Sequence, residues 1–217
     1  MNVIKSILAT ILVAFAFLPF GAAAQQEGPE ALVKRISLEV VDIAKSDQQI
    51  QSGNQQKVLQ LVEEKILPHV DFQRMTALAA GRFWREATPD QQKKLTDEFR
   101  SLLVYTYSGA ISQVRDQQLV FKPMRGNPND KEVEVRSEVQ QQRGEPIQLS
   151  YRLQKTNDGW KIYDVNVLGA WLVETYKGNF ATEIGRSGID GLIKTLAERN
   201  NKLRSNTEKP QTTSRRS

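Results

Sequence analysis

Residues 131–167, KEVEVRSEVQQQRGEPIQLSYRLQKTNDGWKIYDVNV, decide the fold. From Lys131 the pattern has a period of two. Val133, Val135, Ser137 and Val139 point one way, and Glu132, Glu134, Arg136 and Glu138 the other, as in a half-buried strand. Arg143-Gly144-Glu145 supplies a turn, after which Ile147, Leu149, Tyr151 and Leu153 alternate with Gln148, Ser150, Arg152 and Gln154. Asn157-Asp158-Gly159 supplies the next turn, and Trp160 to Val167 form another strand. Upstream, Leu119-Val120-Phe121 begins a strand that Gly126-Asn127-Pro128-Asn129 ends. Short turns between consecutive strands predict an antiparallel, four-stranded meander. One face carries both charge signs and suits water; the other is apolar and needs a cover. The phase of the last strand is ambiguous, because Ile162 and Tyr163 are adjacent and cannot both face inward without a bulge.

The cover is helical. Leu32, Ile36, Val40 and Ile43 recur at spacings of three or four, and Val58, Leu61, Val62 and Ile66 repeat the pattern after Ser52-Gly53-Asn54. Pro68 ends that helix, Asp71 caps the next, and Gly81 closes it. Thr88-Pro89-Asp90-Gln91 has the residues of a capping box with proline at the first helical position. The long helix that follows carries Leu95, Phe99, Leu102, Leu103 and Thr106, with Val104, Tyr107 and Ile111 widening the face. So broad an apolar face must be covered on more than one side. A final helical section is predicted from about Leu172 to Leu203. Helices, then strands, then helices give an α+β domain over residues 25–198 with the helices on one sheet face.

The ends read differently. Residues 1–24 have a charged start (Lys5), an apolar run Ile7–Phe20, a Pro19–Gly21 break and an Ala22-Ala23-Ala24 site. This is the pattern of an export signal cleaved after Ala24; a membrane anchor is the alternative, and the break and alanine triplet oppose it. The chain has no cysteine, which excludes a lipid-modified N-terminus. The expected product diffuses freely in the periplasm, as a monomer. Its net charge of +5 is uneven, because six basic residues against Glu208 alone lie in 199–217. Without that tail and Lys5 the body has 23 basic and 24 acidic residues, a net of −1. A basic stripe for nucleic acid is missing from it, and the tail reads as disordered.

Most catalytic chemistry lacks its residues. His69 is the one histidine, and no cysteine exists, so histidine-pair metal sites, zinc clusters and thiolate nucleophiles are excluded. No phosphate-binding loop, dinucleotide fingerprint or nucleophile elbow occurs. Glu63-Glu64 and Asp97-Glu98 fall on wet helix faces. Asp164, among apolar neighbours in a strand, is the one carboxylate placed to act as an acid or base with a raised pKa; a structural role satisfied by backbone or arginine is the stronger reading. A sheet under a helical cover can enclose an apolar pocket and carry an apolar ligand, although periodicity alone favours a filled core.

Several segments resemble a known family in order and spacing. They are Pro68-His69-Val70-Asp71-Phe72; Ala79-Ala80-Gly81-Arg82-Phe83-Trp84 with Ala87-Thr88-Pro89-Asp90-Gln91; Phe99; and Leu102 to Tyr107. Later come Tyr151, Gly159 to Val165, Phe180, Gly188 to Ile193, and Leu196. On these the chain resembles the MlaC family, the toluene-tolerance auxiliary proteins of the Mla ABC transport system. The resemblance implies a soluble periplasmic phospholipid carrier that is not an enzyme and needs no cofactor or metal. Its implied partners are an outer-membrane lipoprotein–porin complex and an inner-membrane ABC complex, met through an MCE-domain subunit. Its implied role is to keep the outer membrane's outer leaflet poor in phospholipid. Two features depart from the family: Gly169-Ala170-Trp171 stands where relatives often read Gly-Val-Ser, and the basic tail extends beyond the family core.

Inward strand positions Val135, Val139, Ile147, Leu149 and Tyr151 are the candidate walls of a lipid pocket. Tyr105, Tyr163, Val165, Val167 and Trp171 are candidate wall or rim. The rival readings are a pocket enzyme using Asp164 and an interaction module without ligand.

Overall fold

The computed structural model describes residues 27–208 except 126, 128, 129 and 142. The expected export signal (1–24) and the last part of the basic tail (209–217) lie outside them.

Helix α1 (Pro29–Ser46) opens on proline, whose missing N–H would have no intrahelical partner there anyway. It buries Leu32, Val33, Ile36, Val40 and Ala44. The Asp47 side chain accepts from the Gln49 and Ile50 N–H groups to start α2 (Gln48–Gln51). Asn54 does the same for α3 (Gln55–Lys65) through Gln56 and Lys57. A 3-10 turn, Leu67–His69, holds Pro68. Asp71 then accepts from Arg74 N–H at 2.8 Å and begins α4 (Phe72–Ala80). Thr88 and Gln91 form both bonds of the expected capping box at the head of α5 (Pro89–Tyr107), and a 3-10 segment, Ser108–Gln113, continues it.

The sheet is an antiparallel meander in chain order, β1 (Gln118–Arg125), β2 (Glu132–Gln140), β3 (Ile147–Thr156) and β4 (Gly159–Val167), followed by β5 (Ala170–Trp171). Among the described residues five strands replace the four expected. The fifth was hidden because Leu168-Gly169, with φ of 53° and 90°, makes the two-residue turn. Both residues are left-handed, as in a type I′ hairpin, yet the usual Asn-Gly or Asp-Gly signature is absent.

Register settles the phase of β4. Val165 faces Tyr151 and Asp164 faces Arg152, but Leu153 pairs with Ile162, leaving Tyr163 as the extra residue of a bulge. Trp160 and Ile162 can therefore share the apolar face with Val165 and Val167, although the two pairs are out of phase. Tyr163 turns to the polar face, where its hydroxyl donates to Glu132 Oε2 at 2.9 Å and the Arg74 guanidinium lies 3.9 Å from its ring.

Two cores result. One packs α1–α3 on the sheet around Val133, Val135, Leu153, Trp160 and Ile162. The other lies within α4, α5 and α6 (Leu172–Glu208), where Phe99 makes edge contacts with Tyr176 and Phe180, both at 5.0 Å between centroids. Helix α6 breaks at Gly188, whose φ of 73° suits a residue without Cβ. The expected domain limit at 198 and disordered tail from 199 need correction, since α6 continues to Glu208. The reason is packing. Asn200 is buried and donates to Glu98 O at 2.9 Å and Glu98 Oε2 at 2.7 Å, while Leu203 joins the helical core.

Candidate functional site

Between the two cores the packing opens into a cavity of about 570 Å³. Its sheet wall is built from Leu119, Val139, Ile147, Leu149, Val165 and Val167. Val62, Ile66, Val70, Phe72 and Met75 form a second wall from α3 to α4. Leu103, Val104, Tyr107, Ile111 and Val114 form a third from α5 and the segment after it. Among the described residues, none of the 24 that line it is charged; the polar ones are Tyr107, Ser108, Gln113, Gln117 and Gln141. Tyr107, Ala110, Gln113 and Gln141 are also exposed, which marks the side on which the cavity meets water.

The broad face of α5 now has its explanation. Leu95, Phe99 and Leu102 pack into the helical core, while Val104 and Tyr107 turn to the cavity and Leu103 borders both. Helical stripes of this kind carry only the need for cover, so the sequence does not tell a packed neighbour from a cavity. The walls on α3 and α4 and residues 108–117 were missed for that reason.

Of the ten candidate wall and rim residues, Val139, Ile147, Leu149, Val165 and Val167 line the cavity. The other five lie elsewhere. Val135 is 1% exposed inside the sheet core and borders a second, smaller hollow of about 340 Å³ against α1 and β1. Tyr151 faces inward but packs on the same filled core, its hydroxyl 3.5 Å from Ser137 Oγ. Burial pushes that phenol's pKa up. Tyr163 is on the opposite sheet face because of the bulge. Trp171 lies under the Arg152 guanidinium, 3.8 Å from its ring centroid. Tyr105 accepts a hydrogen bond from Arg204 Nε at 3.2 Å, on the side of α5 facing the end of α6.

Asp164 is not among the cavity's lining residues. It is 1% exposed and accepts from Val165 N–H at 2.9 Å and Val173 N–H at 3.0 Å, with Arg152 Nη1 at 3.4 Å. Val173 belongs to the first turn of α6, so the carboxylate caps that helix from the neighbouring strand. Burial raises its pKa, opposed by the two N–H groups and Arg152. Two backbone N–H groups on Oδ1 and the guanidinium beside Oδ2 give this carboxylate a structural role at the start of α6. His69 is held below the ordinary imidazole range by burial and by the charges of Arg35 and Lys161. No cluster of metal-ligating side chains occurs among the described residues.

Comparison with known proteins agrees with this architecture. The family model described as MlaC protein matches residues 34–198. The chain belongs to the MlaC family. A phospholipid-binding protein from Ralstonia solanacearum, solved in complex with a phospholipid, is 48% identical with a TM-score of 0.76, covering 81% of this chain and 98% of its own. The MlaC of Haemophilus influenzae, named as the binding protein of an intermembrane phospholipid transport system, is 22% identical over 84% of this chain and 87% of its own. The toluene tolerance protein ttg2D of Pseudomonas putida is also 22% identical, over 90% and 88%. In this MlaC-family chain the cavity lies wholly within the matched residues.

Proposed function

We propose that the chain is a phospholipid carrier of an Mla-type transport system. The observation that carries this reading is the cavity: about 570 Å³, walled mainly by aliphatic and aromatic side chains, with no charged group among its described lining residues. Each methylene moved from water into such a wall contributes about 0.8 kcal/mol. A chain of twelve or more methylenes is therefore held by roughly 10 kcal/mol of gross transfer free energy before ordering costs. The Ralstonia protein, solved with a phospholipid bound, shares nearly half its residues with this chain, which supports the same ligand class here.

Capacity follows from volume. Taking a methylene at about the 30 Å³ share of a water molecule, the cavity of about 570 Å³ holds about nineteen. That is one long chain and little of a second, so a two-chain lipid enters only as the sheet and α5 move apart. Loading is then expansion and filling, with no bond made or broken and the head group left in water at the Gln113–Gln141 side. The carrier works in the periplasm, between an outer-membrane lipoprotein–porin complex and an inner-membrane ABC complex reached through its MCE-domain subunit. The loading step is tested by stripping the protein of lipid, mixing it with vesicles containing a labelled phospholipid, and separating the two by size. Labelled lipid in the protein fraction, about one molecule per chain, supports the reading. Protein that stays unlabelled at every vesicle concentration contradicts it.

A further inference from the structure

Leu168 breaks two local rules at once. It is the one non-glycine residue with positive φ among the described residues, at 53°. At 68% it is also the most exposed large hydrophobic side chain among them. A left-handed backbone is unfavourable for leucine, and Asn-Gly suits a two-residue turn far better. The turn gains nothing from leucine: its N–H donates to Gln148 O at 3.1 Å, a bond any residue except proline would make. Strain kept without structural return is a mark of function.

The position says which function. Leu168 lies between Val167 and Leu172, both on the cavity wall. The other wall carries Tyr107, which lines the cavity and is itself 41% exposed. In a chain with a quarter of its residues charged, residues 101–114 and 165–173 contain no charged residue at all. These two segments carry Tyr107, Ala110, Leu168 and Ala170, all exposed, so the absence of charge extends to positions that face water. Segments without a charge of their own offer a partner little to pair with, the Arg152 guanidinium over Trp171 being already paired with Asp164. A single apolar tip is also too small for a stable protein interface. Both suit brief contact with the apolar region of a lipid surface.

We propose that Leu168 is a lipid-surface contact: it dips into a bilayer beside the cavity and shortens the path an acyl chain takes through water. This rests on the carrier reading above. The test uses the mature protein and vesicles of phosphatidylcholine alone, which remove net surface charge. Leu168→Asn keeps the left-handed turn and deletes the tip, Leu168→Gly does so without adding a polar group, and Leu168→Phe restores an apolar side chain. Three readouts are taken: lipid retained through purification, flotation with vesicles, and the rate of labelled-lipid exchange. The Asn and Gly variants should melt no lower than the parent and retain its lipid. Their flotation and exchange should fall about tenfold, with Phe near the parent. Unchanged exchange and flotation in both folded variants overturns the proposal and leaves a protein partner as the lip's occupant. Loss of the retained lipid also overturns it, by making Leu168 part of the cavity wall. If the carrier reading itself fails, the parent holds and exchanges no lipid, while flotation still reports on Leu168 separately.

Discussion

Leu149→Glu separates ligand binding from folding at a single wall position. Leu149 is half-buried, pairs with Ser137 on one side and Val167 on the other, and lines the cavity. In the empty protein the new carboxylate can keep water beside it, so the fold loses only part of a leucine's burial, about 1–2 kcal/mol. A bound acyl chain excludes that water and leaves the carboxylate without a partner, so the group takes up a proton instead. From an ordinary glutamate pKa near 4.3, protonation at pH 7 costs about 3.7 kcal/mol, at roughly 1.36 kcal/mol per pH unit. At pH 5 the same step costs about 1 kcal/mol. Affinity for a labelled phospholipid should therefore fall by several hundredfold at pH 7 and recover most of that loss at pH 5. Leu149→Met should bind like the parent at both values, being similar in volume and apolar. The assay is titration of stripped protein with labelled lipid at the two pH values, with melting curves beside it. Parental affinity at pH 7 would show that a bound chain leaves water beside residue 149, and an equal loss at pH 5 and pH 7 in a protein that stays folded would show that protonation is not the cost.

Three further outcomes follow from the packing. Phe99→Ala removes the centre of the aromatic cluster in the helical core and should cost about 3–5 kcal/mol, a fall in melting temperature of roughly 6–20 °C for a domain of this size; a fall of only a degree or two would contradict the packing. Thr88→Ala opens the capping box at the start of α5 and should cost about 1 kcal/mol in denaturant unfolding while leaving lipid content unchanged. Asp164 has its pKa raised in the fold, so the folded protein binds that proton more tightly than the unfolded chain. Its contribution is greatest below about pH 4 and declines as pH rises through the raised pKa. The melting temperature of the parent minus that of Asp164→Asn should accordingly decrease from pH 4 to pH 7, and an increase would contradict the assigned direction.

The sheet was legible because alternation is local: Val133 to Val139 and Ile147 to Leu153 each announce one face without reference to anything else. The helix starts at Asp71 and Thr88 were legible for the same reason, since caps are read from three or four adjacent residues. What failed depended on non-local or unusual geometry. The bulge at Tyr163 was foreseen as a possibility but not its direction, because it is set by pairing with Arg152 and Leu153 on another strand. Leu168-Gly169 concealed β5 by placing leucine where turn chemistry calls for asparagine. Asn200 and Leu203 carry the packed domain past its expected limit at 198 through contacts with α5 and the helical core, about a hundred residues away in the case of Asn200 and Glu98. At the cavity, strand alternation found Val139, Ile147, Leu149, Val165 and Val167, while Val135 and Tyr151 share their face but sit where α1 fills the space. Face is written in the strand; whether a helix covers it closely is decided elsewhere in the chain.

The cargo proposed for the cavity is the acyl chains of a phospholipid. That cargo is read by native mass spectrometry of the protein purified from cells without detergent, before and after organic-solvent extraction. The expected result is a bound mass matching a phospholipid before extraction, about one per chain, that extraction removes and vesicle incubation restores. A bare protein mass in both samples, with no adduct regained from vesicles, would contradict it.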